Sequence, residues 1–135
     1  MFLRVNPTNG VAVYDQIARQ VKFAVADGAL APGELIPSVR ELARELAVNP
    51  NTVARAYRDL QSDGVVETAP GVGLAVCEGA RRACRAERRS LLKERVQAAL
   101  REVADAGLAP DEIESLVLGE LERVKKQASQ RRGSP

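Results

Sequence analysis

Two short helical patterns with only a brief break between them constrain the fold of this chain most. Ser38 is followed three residues later by Glu41, the capping-box spacing that opens a helix. Asn49 can cap a second helix, with Pro50 at its first position, where a missing N–H costs nothing. Because two short helices joined by a tight turn form a helix-turn-helix, we predict that motif over residues 38–63.

Apolar residues at helical spacing predict the inner faces of both helices and of a longer helix over residues 11–27. In that first helix they are Tyr14, Ile17, Ala18, Val21, Ala24 and Val25. In the next two they are Val39, Leu42, Ala43 and Leu46, then Val53, Ala56, Tyr57 and Leu60. Three such faces can enclose one small core.

The outward residues of the third helix have the chemistry of a DNA groove. They are Asn51, Thr52, Arg55 and Arg58. Asn pairs with adenine, Arg with guanine, and Thr with a phosphate or a thymine methyl. A solvated polar face on a core helix fits this pattern equally well.

A predicted β-hairpin follows the third helix. Residues 65–68 and 72–76 have strand character, and residues 69–71 form a turn between them. A hairpin in this place is a wing, and Gly71 and Gly73 would let its backbone approach DNA closely. The alternative is that the two glycines serve only the turn and a bulge.

At this point the sequence resembles the GntR family of bacterial regulators. The matching stretches are GALAPG at 28–33, PSVRELA at 37–43, VNPNTVARAY at 48–57, Leu60, Gly64 and GVG at 71–73. The resemblance implies that Arg40 contacts phosphate or a base edge, that the third helix enters the major groove, and that the wing glycines lie at the minor groove. The predicted DNA-binding set is Ser38, Arg40, Asn49, Asn51, Thr52, Arg55, Arg58, Gly71 and Gly73.

Two departures from the family pattern concern the wing. The family usually has a basic residue just before the wing turn, where this chain has Ala69 and Pro70. It often has Thr-Phe after the second wing glycine, where this chain has Leu74 and Ala75. We therefore expect wing contacts that are weaker and come mainly from backbone.

Residues 79–135 are too few for the larger effector or aminotransferase-like domains of many GntR regulators. They predict two helices, over residues 80–106 and from residue 110 onward, resembling the dimerising tail of the YtrA subfamily. The predicted dimerisation residues are Leu92, Val96, Leu100, Val103, Leu116, Val117, Leu121 and Val124. Two helices cannot cover their own apolar stripes, so a second copy is the simplest cover; packing onto the winged domain of the same chain is the alternative.

The predicted architecture is mainly α with a small β wing: a winged helix-turn-helix at 1–78, a two-helix dimerisation domain at 79–126 and a flexible tail at 127–135. Residues 1–78 carry a net charge of −2 and residues 79–135 a net charge of +4. DNA binding must therefore depend on the local placement of a few basic residues. The cluster formed by Arg81, Arg82, Arg85, Arg88 and Arg89 either contacts phosphates or is a solvated face.

Several function classes are disfavoured. There is no His, and no Ser or Cys has an evident base partner, so we expect neither an enzyme nor a cofactor. Cys77 and Cys84 are too few for a structural zinc site, and we expect both to be ordinary small side chains. The first residues lack the apolar run of a signal peptide and no stretch suits a membrane span, which predicts a cytoplasmic protein.

The sequence thus predicts a homodimeric transcriptional repressor that binds a near-palindromic operator. The resemblance to the YtrA subfamily implies that this operator controls a transporter operon. It identifies no small-molecule effector. The competing hypothesis is a winged-helix module for protein–protein assembly, which the negative charge of residues 1–78 favours.

Overall fold

The computed structural model describes residues 3–132, which form two compact units divided after Ser90. The elements are α1 (Val13–Asp27), α2 (Val39–Leu46), α3 (Pro50–Ser62), β1 (Val66–Ala69), β2 (Gly73–Val76), α4 (Ala80–Asp105) and α5 (Pro110–Arg132). Their order and type agree with the sequence prediction, with boundaries that differ by one or two residues in the first unit.

Two predicted boundaries differ from the structure. The first unit continues beyond residue 78, because Ala80 and Cys84 on the first turns of α4 are buried in its core. The flexible tail predicted to begin at residue 127 is wrong over 127–132, since α5 continues through Arg132. Gln, Arg and Ala make up most of that stretch and are good helix formers, so the helix continues without buried contacts. Residues 133–135 lie outside the described part of the chain.

The core of the first unit joins the inner faces of α1, α2 and α3. Ile17, Val21 and Val25 of α1, Leu42 of α2 and Leu60 of α3 are fully buried. Tyr57 contributes its ring to the same core, and its hydroxyl donates a hydrogen bond to the Pro37 carbonyl oxygen at 2.7 Å. That bond ties α3 to the segment that leads into α2.

The turn between α2 and α3 carries a left-handed residue without being a glycine. Ala47 has φ of 54°, and the N–H of Val48 donates to the Ala43 carbonyl oxygen at 3.0 Å. An L-residue in this conformation costs about 1–2 kcal/mol relative to its preferred regions. The half-buried Val48 packs against the core, which helps to hold the strained turn in place.

The wing is a two-stranded antiparallel sheet in which Val66 pairs with Val76 and Ala69 with Gly73. Leu35 adds a single bridge to Ala75, supported by the Ile36 N–H, which donates to the Leu74 carbonyl oxygen at 3.0 Å. The sequence reading did not assign strand character to this segment. The bridge anchors the base of the hairpin to the chain that precedes α2.

The second unit contains the remainder of α4 and all of α5, joined at Gly107. This glycine has φ of +93°, and the N–H of Leu108 donates to the Val103 carbonyl oxygen at 3.4 Å. Val103 and Leu108 are both half-buried, as expected for the two apolar residues that flank a left-handed helix cap. No residue of α5 within the described chain is buried.

Basic residues on the first turns of α4 contact α1. Arg85 Nε donates to the Ala26 carbonyl oxygen at 3.2 Å, and Arg88 pairs with the Asp27 carboxylate. Lys22 of α1 bridges Asp63 at 2.9 Å and Glu87 at 3.0 Å. Burial opposes the charge of Lys22, but these two acceptors outweigh it and raise the pKa of the ammonium group above its ordinary value. Two members of the arginine cluster therefore stabilise the attachment of α4 to the first unit.

We predict that replacing Arg85 and Arg88 together with Gln lowers the free energy of unfolding by about 1–2 kcal/mol, because one charge-assisted bond to a helix end and one ion pair are lost. Urea unfolding followed by circular dichroism at fixed protein concentration measures the change. The control replaces Arg82 and Arg89, which are exposed, and removes the same charge. An equal loss in both double variants would contradict this role.

Candidate nucleic-acid interface

Four of the nine residues predicted to bind DNA lie on α3. Asn51, Arg55 and Arg58 are exposed, whereas Thr52 is half-buried. Because Val53, Ala56, Tyr57 and Leu60 are buried on the opposite side, these outward positions are fixed by the core. The roles of the exposed side chains toward bases remain predictions.

The caps of α2 and α3 engage two further residues of the predicted set. Ser38 Oγ accepts a hydrogen bond from the Glu41 N–H at 3.1 Å, and Asn49 Oδ1 accepts one from the Asn51 N–H at 2.8 Å. These bonds use acceptor capacity only. The Ser38 hydroxyl and the Asn49 amide keep donor hydrogens, which are the groups a phosphate oxygen requires.

The tyrosine behind this face is held neutral. Burial, and then the nearby Glu41 and Glu45 carboxylates, raise the pKa of Tyr57 well above its ordinary value. Its hydroxyl therefore acts as the donor to Pro37 at any physiological pH. The start of α2, with Arg40 exposed on its first turn, is positioned by that bond.

Ion pairing differs among the basic residues of the first unit. Lys22, Arg19 and Arg88 are each paired with at least one carboxylate. Within residues 3–132, Arg40, Arg55 and Arg58 make no ion pair. These three guanidinium groups keep their charge available on α2 and α3.

Arg55 instead contacts an aromatic ring. Its Cζ atom lies 3.7 Å from the centroid of the Tyr14 ring, in cation–π geometry. Tyr14 is on the first turn of α1 and is half-buried against the core. The sequence reading assigned Tyr14 only to the buried stripe, because no local spacing links residues so far apart in the chain.

The wing turn leaves its glycines accessible. Gly71 has φ of +76° and Gly73 has φ of +141°, and a Cβ at either position would meet no atom within 4 Å. Both conformations disfavour L side chains, so turn geometry alone accounts for glycine here. Val72 between them is 66% exposed, so the tip of the wing is apolar.

The thiols of the two cysteines are held in the protonated form. Burial is the main cause that raises the pKa of both the Cys77 and the Cys84 thiol, so both stay protonated near neutral pH. Among the described residues, no three Cys, Asp or Glu side chains are grouped to hold a metal ion. In the same part of the chain, none of the helices combines the length and apolar character of a membrane span.

In the second unit, the structure leaves the predicted dimerisation residues largely uncovered. Seven of the eight are exposed, and Val103 is half-buried beside the cap. Leu118, which is 52% exposed, belongs to the same apolar surface and was missed by the sequence reading. It lies one residue beyond the regular stripe, so helical spacing alone did not select it.

Known proteins resemble this helix-turn-helix and wing in sequence. The family model described as bacterial regulatory proteins, gntR family, matches residues 13–76, which run from the start of α1 to the end of the wing. The transcriptional repressor YtrA of Bacillus subtilis is 34% identical over 114 residues, covering 84% of this chain and 85% of that protein. The similarity thus extends beyond the winged helix into the helical tail.

Solved structures show the same architecture. A transcriptional regulator from Oenococcus oeni superposes with a TM-score of 0.73 at 29% identity, over 89% of this chain and 99% of that one. YtrA from Sulfolobus acidocaldarius, a GntR-family transcription factor, superposes with a TM-score of 0.55 at 32% identity, over 69% of this chain and 99% of that one. The predicted winged fold is confirmed.

These relatives are transcription regulators and not enzymes, which also confirms the expectation that this chain catalyses no reaction. The helix-turn-helix is therefore a DNA-binding module. By its sequence over both units and by its fold, the chain belongs to the GntR family of bacterial transcription regulators.

Proposed function

We propose that the protein is a homodimeric repressor that binds a near-palindromic operator in the cytoplasm. The observation that carries the proposal is the set of exposed arginines, Arg40, Arg55 and Arg58, that have no carboxylate partner within the described residues. Repression is supported by the similarity to a protein named a repressor. A transporter operon is the target that the YtrA resemblance implies.

In this proposal, α3 reads bases and the surrounding groups hold the register. Asn51, Thr52 and Arg55 contact base edges in the major groove, because amide and guanidinium groups discriminate adenine and guanine there. Ser38, Arg40, Asn49 and Arg58 contact phosphates, which carry no sequence information. Gly71 and Gly73 bring the wing backbone to the minor groove.

The uncovered apolar surface of the second unit supports dimerisation. Leu100, Pro110, Ile113, Val117 and Leu118 line an open groove of about 410 Å³, which also borders Glu114. Burying one Leu or Val side chain contributes about 1.5–3 kcal/mol, so covering this surface with a second copy would be strongly favourable. Two-fold symmetry would present two α3 helices to adjacent major grooves.

Binding to the promoter of the protein's own operon tests the proposal directly. A labelled promoter duplex titrated with protein at fixed salt, with an equal-length scrambled duplex as competitor, measures the specificity ratio. Preference for the promoter of about a thousandfold is expected of an operator. Equal affinity for both duplexes, or none for either, would favour the protein-assembly module instead.

We predict that Arg55→Ala weakens operator binding by about 1–3 kcal/mol and relaxes the preference at one base pair. Titrations against operators with single substitutions measure both effects. Arg123→Ala is the matched control, since Arg123 is exposed on α5 and paired with Glu120. Equal losses on operator and scrambled DNA would restrict Arg55 to a phosphate contact, and unchanged affinity would remove it from the interface.

We predict that Val96→Glu or Leu121→Asp converts the dimer to a folded monomer, because an unpaired carboxylate in the apolar interface is costly. Operator affinity should then fall by at least about tenfold, since the two half-sites are no longer engaged together. Sedimentation velocity, circular dichroism and DNA titration measure the three properties. Gln97→Glu adds the same charge at the neighbouring exposed position and should stay dimeric. A Val96→Glu protein that remains dimeric would place the interface elsewhere.

A further inference from the structure

The contact between Tyr14 and Arg55 joins the first helix to the face of α3 that we assign to DNA. The Arg55 Cζ atom lies 3.7 Å from the Tyr14 ring centroid, whereas the Arg88 Cζ atom lies 6.0 Å from the Phe23 ring centroid. The shorter distance is that of direct stacking of guanidinium on ring. Tyr14 is therefore a neighbour of Arg55 in space although it lies on a different helix.

Stacking restricts an arginine without consuming its hydrogen-bonding groups. The guanidinium is planar, so a ring against one face leaves the N–H donors at its edge free. Those edge donors are the groups that bind the two acceptors of guanine. An arginine held in one conformation before binding loses less freedom when it contacts DNA.

The surroundings of the pair leave no competing partner within residues 3–132. No carboxylate lies at ion-pair distance from Arg55, and Asp15, the residue next to Tyr14, is paired with Arg19 at 3.3 Å. Tyr14 itself is half-buried and packs against the core. The ring is thus a fixed platform and the arginine an exposed, oriented cation.

We propose that Tyr14 is a positioning residue for operator recognition, acting through Arg55. Its ring holds the guanidinium in the orientation that presents its edge to a base, and so contributes to specificity without touching DNA. This inference rests on the proposed function of Arg55. It gives Tyr14 a role in DNA recognition, whereas the sequence pattern of α1 indicates only that Tyr14 belongs to the core.

The test is a double-mutant cycle on the full-length protein with the promoter duplex. Tyr14→Leu removes the ring, Tyr14→Phe keeps it, and each is made with Arg55 and with Arg55→Ala. With Arg55 present, Tyr14→Leu should weaken operator binding about two- to fivefold, the range of an exposed cation–π contact. Tyr14→Phe should bind like the parent protein, and with Arg55→Ala neither change at position 14 should matter.

A second readout separates positioning from a structural effect. Tyr14→Leu should relax preference at the same base pair as Arg55→Ala and leave the salt dependence of binding unchanged, because no phosphate contact is lost. A loss of affinity that is equal in both Arg55 backgrounds, or no loss at all, overturns the positioning role. If Arg55→Ala itself leaves binding unchanged, the assignment of Arg55 to the operator fails first, and the inference fails with it.

Discussion

The burial of the inner side of α3 is the constraint on which the rest of the structure depends. Val53, Ala56 and Leu60 are completely buried against α1 and α2. Each Val or Leu contributes about 1.5–3 kcal/mol when buried, which is large beside a net stability of about 5–15 kcal/mol for a whole domain. Rotating α3 about its axis would expose that surface. The residues that face outward are therefore set by the residues that face inward.

The second unit shows the opposite balance. Its helices expose apolar residues that in the first unit would lie in a core, and Val103 and Leu108 at the cap are among the few that are even half-buried. Helix propensity and the Gly107 cap favour the hairpin, but they leave its sides uncovered. In the proposed dimer, a second copy would supply the missing half of this core, and the stability of the second unit would be coupled to association.

Local signals in the sequence were sufficient to predict the helices and strands, but they could not predict the long-range contacts between them. The caps at Ser38 and Asn49 and the apolar spacing depend on residues within one or two turns, so helix-turn-helix and wing could be predicted. Gln16 illustrates this limit. It is buried, and its side-chain amide forms hydrogen bonds with the backbone of Asn6 and Val11. The periodicity of apolar residues does not predict these bonds. The contacts of Arg85 with α1 and of Arg55 with Tyr14 could not be predicted from the sequence either, because the partners are distant along the chain.

The net charge of −2 over residues 1–78 does not count against DNA binding once pairing is considered. Asp27 and Asp63 contribute to that sum, yet each is paired with a cation, Arg88 and Lys22 respectively. Exposed charges act mainly within about 8–10 Å at physiological salt, so a phosphate responds to the groups next to it and not to the total. Next to α2 and α3 those groups include arginines without ion-pair partners among the described residues. A surface can attract DNA locally even when the segment that carries it, residues 1–78, has a net negative charge.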